Sequence, residues 1–453
     1  MDYRITDYGA VGDGSTNSQG AIQAAIDAAH TAGGGRVTVP AGEFLSGTIV
    51  LKSCVTLYLE EGATLVNSLD AAHRIDLSGL LGTGDADSDS GAMDGLSGGC
   101  FLFAAHAHDI ALEGRGTVYG QGDKVFYDGD PEGAGGGLHE RPLDIRPEYA
   151  ERPRTTYFED IERLTVRGVT FRDAAFWTLH MAGCRKVIVD GIRIENDPRA
   201  PNNDGIDPDT CQDVVISNCI VEAGDDAIVV KNTVPMAERY GASENIVISN
   251  CVLKSRDSAL KIGTETGRSI RNIQLSDCVF RDCSRGVGIW VRDGATIEDI
   301  HVHHVSGTTR RYDGGWWGKG EPIFINAQRR AAAPAGSCPG RIRNVSFDNI
   351  YMASESCVFI AGIAESPIED VSIRDLHLTL GGQGLHGPGV FDEQPSAQGV
   401  YEHDIPAVYV RHADGVTVSG TVRREAGLRA FPLAELEDTF DCRIDMRELG
   451  HRG

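Results

Sequence analysis

The sequence predicts an all-β fold, a right-handed parallel β-helix that carries an N-terminal capping helix and loops inserted between its coils. One short pattern predicts this fold because it recurs along the chain, with successive corners about 23 to 32 residues apart and one longer gap near residue 320. The 453 residues also include 56 glycines, which favours many tight turns over long helices. The composition, 41% hydrophobic and 24% charged residues, is typical of a soluble globular protein, and the length is ample for a large core.

Each copy of the pattern is a short strand, a polar corner and a second short strand. Residues 187–194, 214–221 and 246–253 show it clearly. Asn, Asp or Gly stands at the corner, and these residues tolerate the left-handed backbone that a sharp bend requires. The apolar runs are short, β-branched and alternating, which argues against helical repeats. Because one copy cannot bury its apolar face alone, we expect the copies to stack, with parallel strands pairing between coils.

The N-terminal segment differs, since residues 18–32 have a helical pattern. Ile22 and Ile26 lie on one face of this helix, and three consecutive glycines end it. We predict that the helix belongs to a cap, about residues 1–50, that covers the open end of the solenoid. The whole chain is predicted to form a single domain. Loops rich in Gly, Asp, Ser and Pro are expected at residues 69–100, 122–150, 306–338 and 380–404.

Charge and hydropathy exclude several classes of partner. A formal net charge of −24 repels phosphate backbones, so no nucleic-acid partner is expected. No apolar run approaches the roughly 18 residues of a membrane span. The first residues lack the charged and apolar segments of a signal peptide. These features predict a cytoplasmic protein, or a secreted one if a leader has been removed, with no membrane partner. They leave a homo-oligomer open.

The cysteines repeat with the coils. There are 11, an odd number. Cys219, Cys251 and Cys278 each follow an Asn or Asp at equivalent positions of three copies of the pattern. Such placement predicts a buried stack of small side chains and not a disulfide framework.

Two acidic clusters are the strongest candidates for chemistry. Asp204 follows two asparagines, and Asp225 and Asp226 follow Gly224. Asp204 and Asp225 are 21 residues apart, close to one coil, so a β-helix would place them on adjacent rungs about 4.8 Å apart. Crowded carboxylates have pKa values that move apart, which allows one to act as an acid and another as a base. Turn formation and a calcium site are the alternatives, and we expect no metal and no cofactor.

With these clusters, the chain resembles glycoside hydrolase family 28, the polygalacturonase family, over most of its length. The pair of acidic motifs, Asn202-Asn203-Asp204 and Gly224-Asp225-Asp226, is the specific part of the resemblance. In the family the first motif is Asn-Thr-Asp, so Asn203 stands in the Thr position. Further matching stretches are residues 8–14, 114–122, 152–153 and 176–180.

The resemblance implies a catalytic role for each acid. Asp225 would protonate the leaving oxygen, while Asp204 and Asp226 would hold and activate water for displacement with inversion. Such an inverting pair requires roughly 6.5–9.5 Å between acid and base to fit the water.

Two departures from the family concern the substrate. Asp257 stands where the family has a histidine, and Gly288-Ile289-Trp290 replaces the Arg-Ile-Lys motif that grips a galacturonate carboxylate. Without those cations, a carboxylated sugar would lose its charge-assisted partners. The catalytic subsite is therefore predicted to hold a neutral sugar, or a uronate that other cations grip. Candidate cations are Lys231, Lys261 and Arg292.

Several more residues are predicted to bind an oligosaccharide substrate. Trp290 offers a ring of the kind that stacks on sugars, and Trp316 and Trp317 lie side by side in an inserted loop. The other candidates are Asn202, His180, Asp257 and Glu321. The long insertions favour exo action. A polysaccharide lyase and a non-catalytic carbohydrate-binding β-helix are the alternative functions.

Overall fold

The computed structural model describes residues 1–77, 80–81, 99–129, 140–312, 315–334, 336–381, 389–425 and 432–450. Within these residues the protein is an all-β solenoid, so the predicted right-handed parallel β-helix is confirmed. The chain divides into two compact units, Met1–Gly137 with Leu143–Gly224 and Leu138–Pro142 with Asp225–Gly453. That the chain acts as a single domain stays a prediction. In the described ranges, every helix is too short or too polar to cross a membrane.

The first unit is a stack of coils whose strands pair in parallel with the equivalent strands of neighbouring coils. Its helices and strands are β1 Asp2–Arg4, β2 Asp13–Asn17, α1 Gln19–Thr31, β3 Gly35–Val39, β4 Gly42–Ser46, β5 Ile49–Val50, β6 Val55–Leu59, β7 Ala63–Asn67, β8 Cys100–Gly114, β9 Thr117–Tyr119, α2 Gly122–Val125, β10 Phe126–Tyr127, β11 Asp144–Ile145, β12 Arg154–Arg167, β13 Thr170–Arg172, β14 Leu179–Ala182, β15 Arg185–Asp190, β16 Arg193–Glu195, β17 Ile206–Asp209, β18 Gln212–Ser217 and β19 Ile220–Ala223, with short 3-10 helices at Ile5–Tyr8, Ala71–His73 and Pro147–Tyr149.

Three rows of parallel strands run through this unit. The rows are β1-β3-β6-β8-β12-β15-β18, β2-β4-β7-β9-β13-β16-β19 and β5-β8-β12-β14-β17. The long strands β8 and β12 bend and belong to two rows. Only the small β10-β11 hairpin of the described first unit is antiparallel. Apolar side chains of all three rows point inward and form the core.

The second unit repeats this plan. Its elements are β20 Ile228–Asn232, α3 Val234–Tyr240, β21 Ser243–Ser249, β22 Val252–Ser255, β23 Ser258–Thr266, β24 Ile270–Cys283, β25 Arg285–Val291, β26 Thr296–Thr309, β27 Glu321–Ala327, β28 Arg341–Ser354, β29 Val358–Ala361, β30 Ile368–Leu380, β31 Val390–Asp392, β32 Val400–Glu402, β33 Val408–Asp414, β34 Thr417–Arg424, β35 Ala434–Phe440 and β36 Arg443–Leu449. The rows are β21-β24-β26-β28-β30-β33, β22-β24-β26-β28-β30-β34-β36 and β20-β23-β25-β27-β29-β33-β35.

The corners have the backbone that the sequence predicts. Asn218, Asn250, Asp277 and Asn349 all have positive φ, between 55° and 60°. Side chains other than Gly, Asn and Asp are strained in this left-handed region. The polar corner of each copy is therefore a conformational requirement of the bend.

Replacing Asn250 by Ala is expected to lower the free energy of unfolding by about 1 kcal/mol, because Ala is strained at positive φ. The measurement is the midpoint of thermal unfolding, with Asn250→Gly as the matched control that keeps the backbone free. Equal midpoints for the two variants would contradict the conformational role of the corner.

The N-terminal helix is confirmed at Gln19–Thr31, within one residue of the predicted bounds at each end. Ile22 and Ile26 are fully buried. The Gln23 side chain accepts a hydrogen bond from the Val50 N–H (2.9 Å) and donates one to the Val50 carbonyl (3.1 Å). The Gln23 amide thus satisfies the backbone hydrogen-bonding groups of Val50, a strand residue at the end of the first unit, as a cap requires.

All 11 cysteines lie in the described residues, and all are free thiols. Cys219, Cys251 and Cys278 are each 1% exposed, and the Cys251 N–H lies 3.5 Å from the Cys278 sulfur. The prediction of buried small side chains is confirmed.

The predicted insertion at 306–338 is wrong in one respect. It contains β27, which pairs in parallel with β25 and β29 and is therefore a strand of the solenoid. The insertion is two shorter loops on either side of this strand. The long gap between sequence copies arises because the copy in β26 has His304 at its corner. His304 lies in register with Asp277 and Asn349 and has a φ of 54°, but it is not Asn, Asp or Gly. Much of the predicted loops at 69–100, 122–150 and 380–404 lies outside the described residues.

Candidate active site

The first acidic motif lies in the first unit, just before β17. Asp204 is 2% exposed, and its carbonyl accepts the Thr178 N–H at 3.0 Å. Arg152 donates to the Asn202 side-chain oxygen at 2.9 Å and to the Pro201 carbonyl at 2.7 Å. The guanidinium therefore holds the turn that presents Asp204, and Asn202 takes part in that anchoring.

Asn203 connects this motif to Gly224. Its side-chain oxygen accepts the Gly224 N–H at 2.6 Å, and its side-chain nitrogen donates to the Asp197 carbonyl at 2.9 Å. Gly224 has no room for a side chain, since a Cβ atom there would lie 2.2 Å from the Ala200 carbonyl oxygen. Asn in the Thr position of the family motif thus has a structural use, because its amide reaches two backbone groups at once.

His180 lies in a buried aromatic cluster on β14. Its ring makes edge contacts with the rings of Tyr157 and Trp177, at centroid distances of 5.0 and 4.8 Å. Its Nε2 lies 3.7 Å from an Asp209 carboxylate oxygen. Only 3% of His180 is exposed. The sequence did not indicate Tyr157 or Asp209 as neighbours, because these contacts cross between coils. The register of the strands could have indicated these neighbours, because Tyr157 and Asp207 pair with His180 on the two adjacent strands.

The second acidic motif belongs to the second unit and surrounds a buried lysine. Lys261 donates to an Asp226 oxygen at 2.8 Å and lies 3.8 Å from an Asp257 oxygen. Both carboxylates are at most 5% exposed. Burial alone would lower the pKa of Lys261, but the carboxylates of Asp226, Asp257 and Asp225 together raise it well above its ordinary value. Lys261 is therefore a permanently charged partner of these acids.

The carboxyls of this cluster have raised pKa values. Burial, and then the charge of Asp257, raise the pKa of Asp225, while Lys261 and Lys231 oppose this rise. Burial, and then the charge of Asp226, raise the pKa of Asp257 to about 6. Burial also raises the pKa of Asp226, against the effect of its ion pair with Lys261. Raised pKa values allow one carboxyl to keep a proton near neutral pH, as a general acid must.

A loop after β26 brings Trp317 to this cluster. The ring of Trp317 lies 5.4 Å from the Lys261 ammonium, and the residue is half-buried. Trp316 is instead buried, with its ring N–H donated to the Glu140 carbonyl at 2.6 Å. The expectation that both rings lie exposed for a sugar is corrected, because Trp316 anchors the loop and Trp317 alone remains accessible.

Trp290 does not offer the open stacking face that the sequence predicts. The residue is fully buried. A Cβ atom added to Gly288 would lie 2.1 Å from the Trp290 ring, so the ring lies directly on that glycine. Its other neighbours are Phe324 at 5.0 Å and the cations of Arg285 and Lys261 at 5.0 and 5.4 Å. Trp290 fills the space above the strand and supports Lys261.

Arg292 is not available to grip a carboxylate. Its five guanidinium N–H groups donate to the carbonyls of Val291, Asn326, Glu393 and Pro395 and to the Asn326 side-chain oxygen. An arginine has only five such donors. Its predicted role in substrate binding is therefore corrected, because the fold uses every donor.

Glu321 is also structural. The side chain is fully buried at the start of β27, 3.4 Å from the equally buried Arg285 guanidinium, and it accepts the Lys319 N–H at 2.8 Å. Burial raises the pKa of Glu321, against the charge of Arg285. A buried, paired carboxylate of this kind cannot reach a substrate, contrary to the sequence prediction.

Residues 33–388 match the model of glycosyl hydrolases family 28. The chain belongs to this family. The match covers both acidic motifs, so the resemblance seen in the sequence is confirmed. This family 28 protein is therefore an O-glycosyl hydrolase. The arrangement of Asp204 with Asp225 and Asp226, which belong to different units, stays a prediction.

Similarities to individual proteins are consistent with membership in family 28. The chain is 28% identical over 398 residues to a probable polygalacturonase of Vitis vinifera, covering 85% of this chain and 75% of the relative. It shares the fold of the family 28 exopolygalacturonase of Yersinia enterocolitica with a TM-score of 0.72, 16% identity and coverage of 98% and 78%. The Thermotoga maritima exopolygalacturonase is similar with a TM-score of 0.60, 22% identity and coverage of 84% and 87%.

Proposed function

We propose that this family 28 protein is an inverting, exo-acting hydrolase that releases a neutral sugar from an α-linked oligosaccharide. The observation that carries the proposal is the ion pairing of Lys261, whose ammonium lies 2.8 Å from an Asp226 oxygen and 3.8 Å from an Asp257 oxygen. The carboxyl groups of the cluster can act as acid and base, but Lys261 is already paired with two protein carboxylates and would bind a substrate carboxylate poorly.

In the proposed reaction Asp225 is the general acid. A water attacks the anomeric carbon while the bond from that carbon to the leaving oxygen breaks. The Asp225 proton passes to the leaving oxygen, and the proton of the attacking water passes to Asp226, helped by Asp204. Lys261 favours the ionised form of Asp226, and a carboxylate whose pKa burial raises is a stronger base. One inverted hemiacetal is formed for each bond cleaved.

The hydrogen bonds and ion pairs of the described cations near the acids favour a neutral sugar in this subsite. Lys261 is shared by two carboxylates, and Arg292 has every donor bonded to the protein. Gly288 and Trp290 provide no charge, and they stand where the family's carboxylate grip is expected. A uronate in this subsite would add another negative charge beside Asp225 and would lack the family's Arg-Ile-Lys grip, which disfavours its binding.

The test is a panel of α-linked rhamnoside, galactoside, glucoside, arabinoside and galacturonide oligosaccharides, with NMR of the first-formed anomer. We expect a neutral sugar to be released with inversion at the anomeric carbon. Faster turnover of digalacturonate than of every neutral substrate would overturn the neutral-sugar assignment. Release of the retained anomer would overturn the inverting mechanism separately.

A second candidate is hydrolysis of a galacturonide, favoured by the polygalacturonase names of the relatives. Lys231 would then be the cation that holds the carboxylate, since it is 4% exposed and its charge acts on both Asp225 and Asp226. Lys231→Met distinguishes the two cases. It should raise KM for galacturonides selectively if the substrate is acidic, and affect all substrates alike if it is neutral.

Exo action is supported by how firmly the Trp317 loop is held. Lys319 and Asp392 form an ion pair at 2.7 Å, with exposures of 12% and 0%, and Asp392 also accepts the Gly318 N–H at 3.0 Å. Trp316 is bonded to Glu140. A loop fixed at two points is a suitable wall for one end of a cleft. Products of a polymer digest should therefore be single units from one chain end, and early internal fragments would exclude exo action.

Replacing Trp317 by Ala is expected to raise KM about tenfold and to change kcat less, because the ring would bind the sugar without taking part in proton transfer. Steady-state kinetics on the preferred oligosaccharide provide the measurement. Trp317→Phe is the matched control, since it keeps an aromatic face and should retain most of the affinity. An unchanged KM in Trp317→Ala would show that the ring is not a sugar platform.

The raised pKa of Asp257 predicts a pH dependence of stability. The pKa of Asp257 is about 6 in the folded protein and 3.8 for an ordinary Asp, so between these pH values the folded state binds more protons than the unfolded state. Stability therefore falls as pH rises from about 4 to 7, by about 3 kcal/mol from this group. Urea unfolding from pH 4 to 7 should show a smaller fall for Asp257→Asn. Asp277→Asn, at an exposed corner, is the control, and equal slopes for all three proteins would contradict the prediction.

A further inference from the structure

We propose a second, non-catalytic carbohydrate site, for a sugar that carries a carboxylate, in a cleft on the outer face of the second unit. The cleft has a volume of about 350 Å³, and Tyr351, His377, Thr379, Thr421 and Arg423 line it. This volume lies within the roughly 300 to 1,000 Å³ of ordinary small-molecule sites. The proposal does not depend on which sugar is cleaved.

Strand register makes this cleft an outward-facing surface. Tyr351, His377 and Thr421 occupy matching positions on β28, β30 and β34. The residues that follow them along each strand are at most 2% exposed and belong to the core: Met352, Leu378 and Val422. Because side chains alternate along a strand, the cleft residues point away from the core. They lie on a different row of strands from Lys261 of β23, so the cleft is separate from the acidic cluster.

An aromatic pair forms one wall of the cleft. The rings of Tyr351 and His377 are stacked 4.3 Å apart with an interplanar angle of 13°. Tyr351 is 50% exposed, although it is a large aromatic residue. The His377 ring is held by a hydrogen bond of 3.0 Å between its Nδ1 and the Thr421 hydroxyl. Fixed aromatic rings beside hydroxyl groups suit a sugar, which has apolar C–H faces and polar edges.

Arg423 gives the cleft its positive charge, and Arg447 adds a second cation beside it. Arg423 lines the cleft, and Arg447 pairs with Thr421 in register on the neighbouring β36. Within the described residues, neither guanidinium makes a hydrogen bond or an ion pair. The nearby Glu448 is already paired with Arg424 at 3.0 Å. The chain carries a formal charge of −24, so one such cation in the cleft and a second beside it contrast with the net charge.

These features together select the ligand. A guanidinium binds a carboxylate through two parallel hydrogen bonds, which an uncharged hydroxyl cannot match. A sugar ring that carries a carboxylate would place its C–H groups on the aromatic wall and its charge on Arg423. The occupant we propose is therefore a uronate unit of an oligosaccharide or polysaccharide.

The test is affinity electrophoresis of the inactive Asp225→Asn protein through gels that contain polygalacturonate or, separately, a neutral galactan. The parent should be retarded by polygalacturonate and less so by galactan. Arg423→Ala and Tyr351→Ala, made in the same background, should each weaken the apparent affinity about tenfold. Phe440→Ala is the control, because it removes an aromatic side chain that is 74% exposed elsewhere in the second unit, and it should behave as the parent.

Three results would overturn the proposal: equal retardation of the parent and both cleft variants, equal retardation of the parent by the two polymers, or a parent that neither polymer retards. Arg423→Lys and Tyr351→Phe guard against misfolding, since both should keep part of the affinity. Retardation that tracks a change of oligomeric state on gel filtration would assign the cleft to a second copy of the chain instead. The catalytic assignment is judged separately, from the products of the active enzyme.

Discussion

Replacing Asp225 by Asn is expected to lower kcat by about 10²- to 10⁴-fold, the usual contribution of a general acid or base. The Asp225 carboxyl is half-buried in the second unit, and its Oδ1 accepts the Asp226 N–H at 2.9 Å. Burial and Asp257 raise its pKa. Asn has almost the same shape but cannot donate a carboxyl proton to the leaving oxygen, so binding should survive while the chemical step fails.

Kinetics on the preferred substrate provide the measurement, with substrate binding to the variant followed by calorimetry. Asp277→Asn, which changes an exposed corner acid at φ 55°, is the matched control and should keep full activity. If the protein were a non-catalytic carbohydrate-binding β-helix, Asp225→Asn would keep full function. A variant as active as the wild type would therefore rule out Asp225 as the general acid.

Replacing Lys261 by Met is expected to lower the free energy of unfolding by about 3–5 kcal/mol, because it leaves buried carboxylates without their cation. Lys261 is 5% exposed and Asp226 is fully buried. The Lys261 ammonium lies 2.8 Å from an Asp226 carboxylate oxygen. Loss of that charge also favours protonation of Asp226, so we expect kcat to fall with stability.

Urea unfolding compares this variant with Lys186→Met, which breaks an ion pair of the same length, 2.8 Å, whose Lys186 is 59% exposed. Such a surface pair contributes about 0–1 kcal/mol. The double variant Lys261→Met with Asp226→Asn should recover part of the lost stability, since it no longer buries that unpaired charge. Equal effects of the buried and the surface substitution would contradict the role assigned to Lys261.

The parts of the fold that depend on local chemistry could be predicted from the sequence. The left-handed corners at Asn218 and Asn250 and the helix with Ile22 and Ile26 inside are encoded within a few neighbouring residues. The sequence pattern does not identify the copy in β26 because His304, with a φ of 54°, stands at its corner in place of Asn, Asp or Gly. Only the pairing of β27 with β25 and β29 identifies β27 as a strand of the solenoid.

The candidate site divides in the same way. The acidic motifs, which carry the resemblance to family 28, and the missing Arg-Ile-Lys grip, which departs from it, are both visible as residue types. Which side chains are free to meet a substrate is not visible. Arg292 bonds Pro395, and the guanidinium of Arg285 bonds the Asp392 carbonyl, each across more than 100 residues. No sequence pattern indicates such partners.

The sequence by itself determined the repeating coil, its polar corners and the acids of a family 28 hydrolase, because φ preference, strand alternation and carboxyl chemistry are properties of single residues and their near neighbours. Only the tertiary structure decided that Trp290 is buried, that Arg292 has no donor left and that Lys261 is shared by two carboxylates. Burial and hydrogen-bond saturation depend on segments that are distant in the chain and become adjacent when the coils stack.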